Sequence, residues 1–499
     1  MTIRNLIEGP PGSGKSSILV DLIAMAMERL GPDRVAVVSF TRTAGAELQE
    51  RLAERFGIKD RSQRNLRNHF KKVGTIHSVG YRTLGLSQKN MAIERFNEFT
   101  SYVKIAPLKG KYDKNPEFST NYWWVSEGGA STEADAMLQC VASARHQEIS
   151  VEEAFDQLPV AKQLQTSSSR IASLARQYDL WRREAQVHDY EDILVESAKI
   201  DLGVKALFLD EAQDCSKLQW RTVNAWAEHS DFFTAAGDGY QAIFKFQGGS
   251  PEMFLSQPGA WRTLPVSHRL DQAGVEHCRS VLWKGGYPGV LADWRGEGGE
   301  ARDGTTFYLG RTHLLVSQWE SQLQQQGTPY LGLSGWSPYT SKAADAYRAL
   351  RDVETAGSLS ADRMKKVVET LPAGLLPRGA KVWADRARGD ADWPREWPTP
   401  QTCAERLQYY HYFRRIEKQH GERGMYMTPT VFTGTGHAAK GREADRAFVA
   451  SSWAFRPARE QAASIEGMKS EALVAYVMTS RARLGTTIVE GFQGDRYPW

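Results

Sequence analysis

The stretch GPPGSGKS at 9–16 constrains this chain more than any other part of it. It has the spacing Gly, four residues, Gly-Lys-Ser, in which glycines let successive backbone N–H groups curl around phosphate oxygens. Lys15 would bring positive charge to the β- and γ-phosphates, and the Ser16 hydroxyl would ligate Mg²⁺. Gly9, Pro10, Pro11, Gly12, Ser13, Gly14 and Ser17 would line the rest of the cradle. Such a loop needs a strand before it and a helix after it. Residues 3–7 read as a short strand. Ser16 to Leu30 reads as a helix ended by Gly31-Pro32.

The pattern then repeats. Arg34 to Phe40 is a β-branched run, and Thr43 to Phe56 has helical spacing at Leu48, Leu52 and Phe56. Strand, helix, strand, helix predicts an α/β fold with a parallel sheet covered by helices. From Leu86 to Ala185 the text turns polar and helical, with a loop-like stretch from 108 to 119. Sheet-like text returns at 205–209 and 232–236, and a second α/β region starts near Arg262. A Gly-, Pro-, Arg- and Trp-rich insertion begins near Trp336, and strands resume at 428–433 and 486–489. The 499 residues therefore read as two α/β cores, each interrupted by a mostly helical insertion. The first core takes 1–84 and 186–261 around an insertion at 85–185; the second takes 262–335 and 426–499 around one at 336–425.

Composition narrows the partners. Lys plus Arg is 63 against 59 for Asp plus Glu, a net charge of +4, so a polyanion-binding face would have to be local. No run of 18 apolar residues marks a membrane span. Arg4, Glu8 and Pro10-Pro11 interrupt any secretory leader, so the sequence predicts a cytoplasmic protein, bacterial or phage-encoded, with no membrane partner. Four widely spaced cysteines offer neither a zinc ribbon nor a disulfide framework.

A second chemical signal is LFLDEAQD at 207–214. A strand ending in Asp-Glu can supply a second Mg²⁺ contact, here Asp210, and a base, Glu211, that orients and deprotonates an attacking water.

LDEAQD, followed by AGDGYQAIFKFQGG at 236–249, resembles the UvrD/Rep/PcrA-like superfamily 1 DNA helicases. The resemblance continues in order: SFTRTAGAEL at 39–48, VGTIHSVGYRTL at 73–84, HDYEDIL at 188–194, LPVSHR at 264–269, LGRTHLL at 309–315 with GTPY at 327–330, TGHAAKGREAD at 435–445 and EALVAYVMTSRAR at 471–483. Neither insertion shares it.

The resemblance implies two RecA-like domains with ATP and Mg²⁺ in the cleft between them. It implies that Gln241 senses the γ-phosphate with Gln213 nearby, and that Arg269 and Arg481 reach that phosphate from the second core. Glu443, with Gly441 beside it, matches the residue that binds the nucleotide sugar, and His268 stands where a tyrosine stacks on adenine. For the nucleic-acid strand it implies a stacking role for Phe40 and Phe246 and backbone contacts from Thr41, Arg42, Thr75, His77, Thr435 and His437. The basic stretch at 59–72 is either a border of the phosphate track or a solvated helix. Trp123, Trp124, Trp393 and Trp397 are core residues or strand contacts.

The departures also carry expectations. The eight residues before Gly9 leave no room for the family's adenine-reading glutamine motif, and His268 stacks less extensively than tyrosine. Both predict weak discrimination among purine triphosphates. Gln247 replaces an arginine, removing one charged strand contact, for which Arg42 compensates. The reading that follows is an ATP-dependent 3′–5′ single-stranded DNA translocase and helicase acting at single-strand/duplex junctions, with room for a nuclease or a replication or repair partner. The alternative is a DNA-stimulated ATPase switch that senses ends or single strands and signals to such a partner without unwinding.

Overall fold

The computed structural model describes residues 2–109, 130–158, 164–243, 249, 251–288, 293–407, 409–454, 464–492 and 495–496. The elements around the phosphate loop form as their sequence predicts: strand β1 is Ile3–Glu8 and helix α1 is Lys15–Leu30. Helix α1 buries Leu19, Val20, Ile23, Ala24 and Met27, one stripe at helical spacing.

Five further strands complete the first sheet: β2 (Val35–Ser39), β3 (Val73–Thr75), β4 (Ala206–Asp210), β5 (Phe232–Gly237) and β6 (Ala260–Thr263). Their order is β3-β2-β4-β5-β1-β6, and every neighbouring pair is parallel. Helices cover both faces, which is why the inner strands read as continuous apolar runs rather than alternating ones: all of β2 and β4 is buried. Arg262 and Thr263, read from the sequence as the start of the second core, belong to β6 and pair with Ile7 and Glu8.

The chain divides into two compact units. One holds residues up to His268 together with Leu291–Glu297, the other Arg269–Val290 and Gly298 onward. The second unit contains its own parallel sheet of five strands, in spatial order Tyr330–Gly332, Val431–Thr435, Thr306–Gly310, Arg446–Ala450 and Thr486–Val489. The fold is thus α/β with two parallel sheets, each interrupted by a helical insertion.

Both insertions share a core with their host. Met91, Phe96, Phe99, Met137 and Tyr178 pack in one cluster with Tyr81, Tyr190 and Ile193 of the flanking helices. In the second unit, Tyr347, Leu350, Phe413 and Trp397 pack with Leu323 and Tyr330. Trp397 is a core residue, with Trp393 packed edge-on against it at 5.3 Å and donating its indole N–H to Pro398 O. Trp123, Trp124 and most of the loop at 108–119 lie outside the described residues. Among the described residues no helix is long and apolar enough to cross a membrane.

Candidate active site

The site assembles at the carboxyl ends of parallel strands, where helix N-termini and loops converge. After β1 the chain turns through Gly12 and Gly14, both left-handed (φ 76° and 81°). Gly14 caps α1 with no side chain, so the first N–H groups of that helix face the loop without a capping oxygen. That is an anion-binding arrangement. Inside it, the buried Ser13 hydroxyl has no hydrogen-bond partner among the described residues. Lys15 Nζ folds back to donate to Gly9 O at 2.7 Å and Pro10 O at 2.8 Å. Ser16 and Ser17 follow in the first turn of α1.

The segment after β6 braces the loop. Leu264 N donates to Glu8 O (2.7 Å), Ser267 Oγ to Pro11 O (2.6 Å) and His268 N to Gly12 O (2.9 Å). Gly9 fits only as glycine, because a Cβ there would lie 2.7 Å from Leu264 O. The imidazole of His268 is exposed, its Nδ1 2.8 Å from Glu297 Oε2.

Strand β4, one strand removed from β1, ends at Asp210. Burial, and then the adjacent Glu211 carboxylate, push the Asp210 carboxyl up to about 7. A buried acid in that state has room for a cation to replace its proton. Ser16 and Asp210 are the groups that could hold Mg²⁺, whose coordination is ordinarily completed by substrate phosphates and water. Glu211 sits in the left-handed region at φ 52°, uncommon for a residue with a side chain. Its carboxylate accepts from Gln213 Nε2, and Gln213 Oε1 accepts from Asp238 N at 3.0 Å. Asp238 in turn receives Gln241 Nε2 on Oδ2 at 2.9 Å. Gln213 and Asp238 therefore fasten the end of β4 to the end of β5. Glu8, at the end of β1, is also raised, first by burial and then by Asp238, with Lys15 opposing.

The threonines assigned to a strand contact share one structural role. Thr41 caps the helix Arg42–Arg55, and Thr75 caps Ile76–Thr83; each hydroxyl accepts the third N–H of its helix. Arg42 is exposed, while Phe40, expected to stack on a base, is 3% exposed. His77 is fully buried against Tyr190 and His146, and neither ring nitrogen has a hydrogen-bond partner among the described residues. Burial, and then His146, lower its pKa to about 3. Phe246 and Gln247 lie outside the described residues. Within 59–72, Lys72 is structural, donating to Asp33 O and Leu202 O at 2.8 Å each.

The second unit gathers another charged group. Arg269 reaches Glu443 Oε2 with Nε (3.0 Å) and Nη2 (2.7 Å). Arg483 joins Glu443 to Asp445, and Arg302 approaches Glu443 at 3.3 Å. Burial opposes ionisation of Glu443, but Arg269 and Arg483 hold its carboxyl down at about 2. Gly441, two residues earlier, takes a left-handed φ of 75°. Arg481 is 2% exposed and donates to Val477 O, Arg442 O and Ser480 Oγ. Thr435 caps the short helix Gly436–Ala439, and His437 lies half-buried within it.

Asp238 and Ser267 are absent from the sequence prediction. Both stand inside quoted motifs, AGDGYQ and LPVSHR. An acid directly after an apolar strand is a signal for Asp238. For Ser267 no sequence signal exists, because its partner is a backbone carbonyl 256 positions away.

A phosphate loop after β1 and a buried acid at the end of β4, with β5 between the two strands, define the P-loop class of fold. The family model for the UvrD/REP helicase N-terminal domain matches residues 2–258. The chain belongs to the UvrD/Rep helicase family. It is similar to the putative ATP-dependent DNA helicase YjcD of Bacillus subtilis, 24% identical over 51% of this chain and 33% of the relative. It is also similar to the ATP-dependent DNA helicase srs2 of Schizosaccharomyces pombe (24%; 48% of this chain and 28% of the relative) and to Rep of Buchnera aphidicola (24%; 50% and 37%). The matched stretch thus spans about a third of the length of these curated relatives.

Proposed function

We propose that this chain is an ATP-dependent DNA helicase that moves along single-stranded DNA in the 3′–5′ direction. The observation that carries this reading is the pairing of the phosphate loop with the acidic end of β4. Lys15 offers charge to the β- and γ-phosphates, and Ser16 and Asp210 would hold Mg²⁺, which would shield the developing phosphate charge. Glu211, held by Gln213, takes a proton from the attacking water. Gln241, tethered to Asp238 after β5, senses the γ-phosphate. Arg269 and Arg481 neutralise charge as the γ-phosphate leaves, a contribution worth roughly 10³–10⁵ in rate in related enzymes. The helix N-termini capped by Thr41 and Thr75 supply backbone N–H groups to a phosphodiester chain, which gives affinity without reading sequence. Single-strand/duplex junctions are the expected substrate, and the polarity rests on family resemblance.

The test is ATP hydrolysis with no nucleic acid, single-stranded DNA, duplex DNA and single-stranded RNA, with Glu211→Gln as the blank. Stimulation by single-stranded DNA that vanishes in the variant supports the motor, and unwinding of 3′- against 5′-tailed duplexes then sets direction. Strand-stimulated hydrolysis with no unwinding from either tail favours a switch that signals to a nuclease or repair partner.

A further inference from the structure

One buried group takes no part in the chemistry above. His146 lies on the helix Glu133–Gln147 of the first insertion, 1% exposed. Its Nδ1 is 2.8 Å from Ser216 Oγ, 70 positions along the chain. Ser216 caps the helix Lys217–Glu228 that follows the Asp210–Glu211 turn, and its hydroxyl oxygen accepts Gln219 N while its own N–H is taken by Gln219 Oε1. The hydroxyl keeps its proton and a second lone pair for the bond with Nδ1, and the other ring nitrogen, Nε2, faces Glu191 Oε1 at 3.5 Å. Glu191 is completely buried, and neither of its oxygens has a hydrogen-bond partner among the described residues.

Ser216 is a junction. It is two residues beyond the short helix Ala212–Asp214, which contains Gln213, the side chain that holds Glu211. Its backbone also forms an isolated antiparallel bridge with Gly249, directly after the FKFQG stretch. A hydrogen bond from the insertion therefore lands on the residue that joins the Glu211-bearing turn to Gly249. Glu191, His146 and Ser216 are all closed to solvent, so the histidine cannot act on a substrate; it acts through position.

We propose that His146 is a positioning residue for ATP hydrolysis, fastening the Glu211-bearing turn to the first insertion through Ser216. The inference rests on the ATPase reading above. Two polar substitutions of similar bulk test it in the full chain. In His146→Asn the amide takes the place of Nδ1 and keeps a hydrogen bond with Ser216; in His146→Gln the amide reaches toward Glu191 and leaves Ser216 unmatched. We expect His146→Gln to lower DNA-stimulated kcat about tenfold or more, with the KM for ATP and the melting temperature nearly unchanged. His146→Asn should keep kcat within about twofold of the parent, because the Ser216 bond survives. Equal kcat in both variants, or a loss shared by kcat, KM and melting temperature, overturns the proposal. A parent chain that binds ATP without hydrolysing it on any strand overturns the ATPase reading itself, and the positioning role with it.

Discussion

Arg269 holds Glu443 with two nitrogens on a single carboxylate oxygen, at 2.7 and 3.0 Å. The arginine proposed to meet the γ-phosphate is thus held by the acid proposed to meet the sugar. Nucleotide binding would then loosen the acid and release the arginine together. Glu443→Gln should raise the KM for ATP several-fold. It should also raise strand-free hydrolysis relative to the stimulated rate, because Arg269 is no longer held. Steady-state hydrolysis with and without single-stranded DNA checks this; an unchanged ratio would leave the pair a structural brace.

The same pair sets an acid limb to stability. The folded carboxyl of Glu443 lies below its unfolded value, so its contribution is complete above the ordinary carboxylate range and is lost as pH falls toward about 2. The melting temperature of Glu443→Gln should be flatter over that interval.

Asp210 runs the opposite way. Its folded value is raised to about 7, so the contribution of its protonated form is complete at low pH and lost as pH rises through about 7. Without Mg²⁺, Asp210→Asn should remove that decline. Apparent Mg²⁺ affinity should climb with pH up to about 7 and level off above it, since the cation displaces a proton. Mg²⁺ titrations of nucleotide binding at several pH values would show the slope, and a flat profile would mean Asp210 is already ionised.

Gly237 tests the bridge between β4 and β5. A Cβ there would lie 2.5 Å from Gln213 Oε1 and 3.0 Å from Phe254. Gly237→Ala should cost about 1–3 kcal/mol by overpacking. It should also cut turnover by displacing Gln213 from Glu211. Chemical denaturation and kcat measured together would report both effects, and a variant with normal turnover would detach Gln213 from catalysis.

His77 offers a test of packing against recognition. Its buried ring carries two unpartnered nitrogens and a pKa lowered to about 3. Stability is therefore lost as pH falls from the ordinary imidazole range toward that value. Replacing the ring by phenylalanine removes the unmet polar groups. His77→Phe should melt at or above the parent temperature at pH 8 and lose less on moving to pH 5. Unchanged affinity for single-stranded DNA would assign His77 to the core, while a large loss would return it to the strand track.

Much of this architecture is legible in the sequence because parallel strands are apolar throughout. Val35–Ser39 and Ala206–Asp210 stand out, and the glycines and Lys15 mark the turn between strand and helix. Strand β3 is only three residues long and carries no periodicity of its own; motif resemblance alone points to it. Arg262 and Thr263 read as a beginning because nothing local shows that they pair with Ile7 and Glu8. Phe40 illustrates the harder limit. An aromatic after a strand suits a base or a core equally, and only the neighbouring chain decides that it is buried. The Gln213–Asp238 and His146–Ser216 contacts join residues 25 and 70 positions apart, beyond any local pattern.

Lys15 rests on two carbonyls of its own loop, and those bonds help to hold the curl. On the proposed reading a triphosphate would not need to mould the backbone; it would exchange places with those two oxygens. Capture should then approach the speed of diffusion, and selectivity among nucleotides would be expressed in how long each one stays.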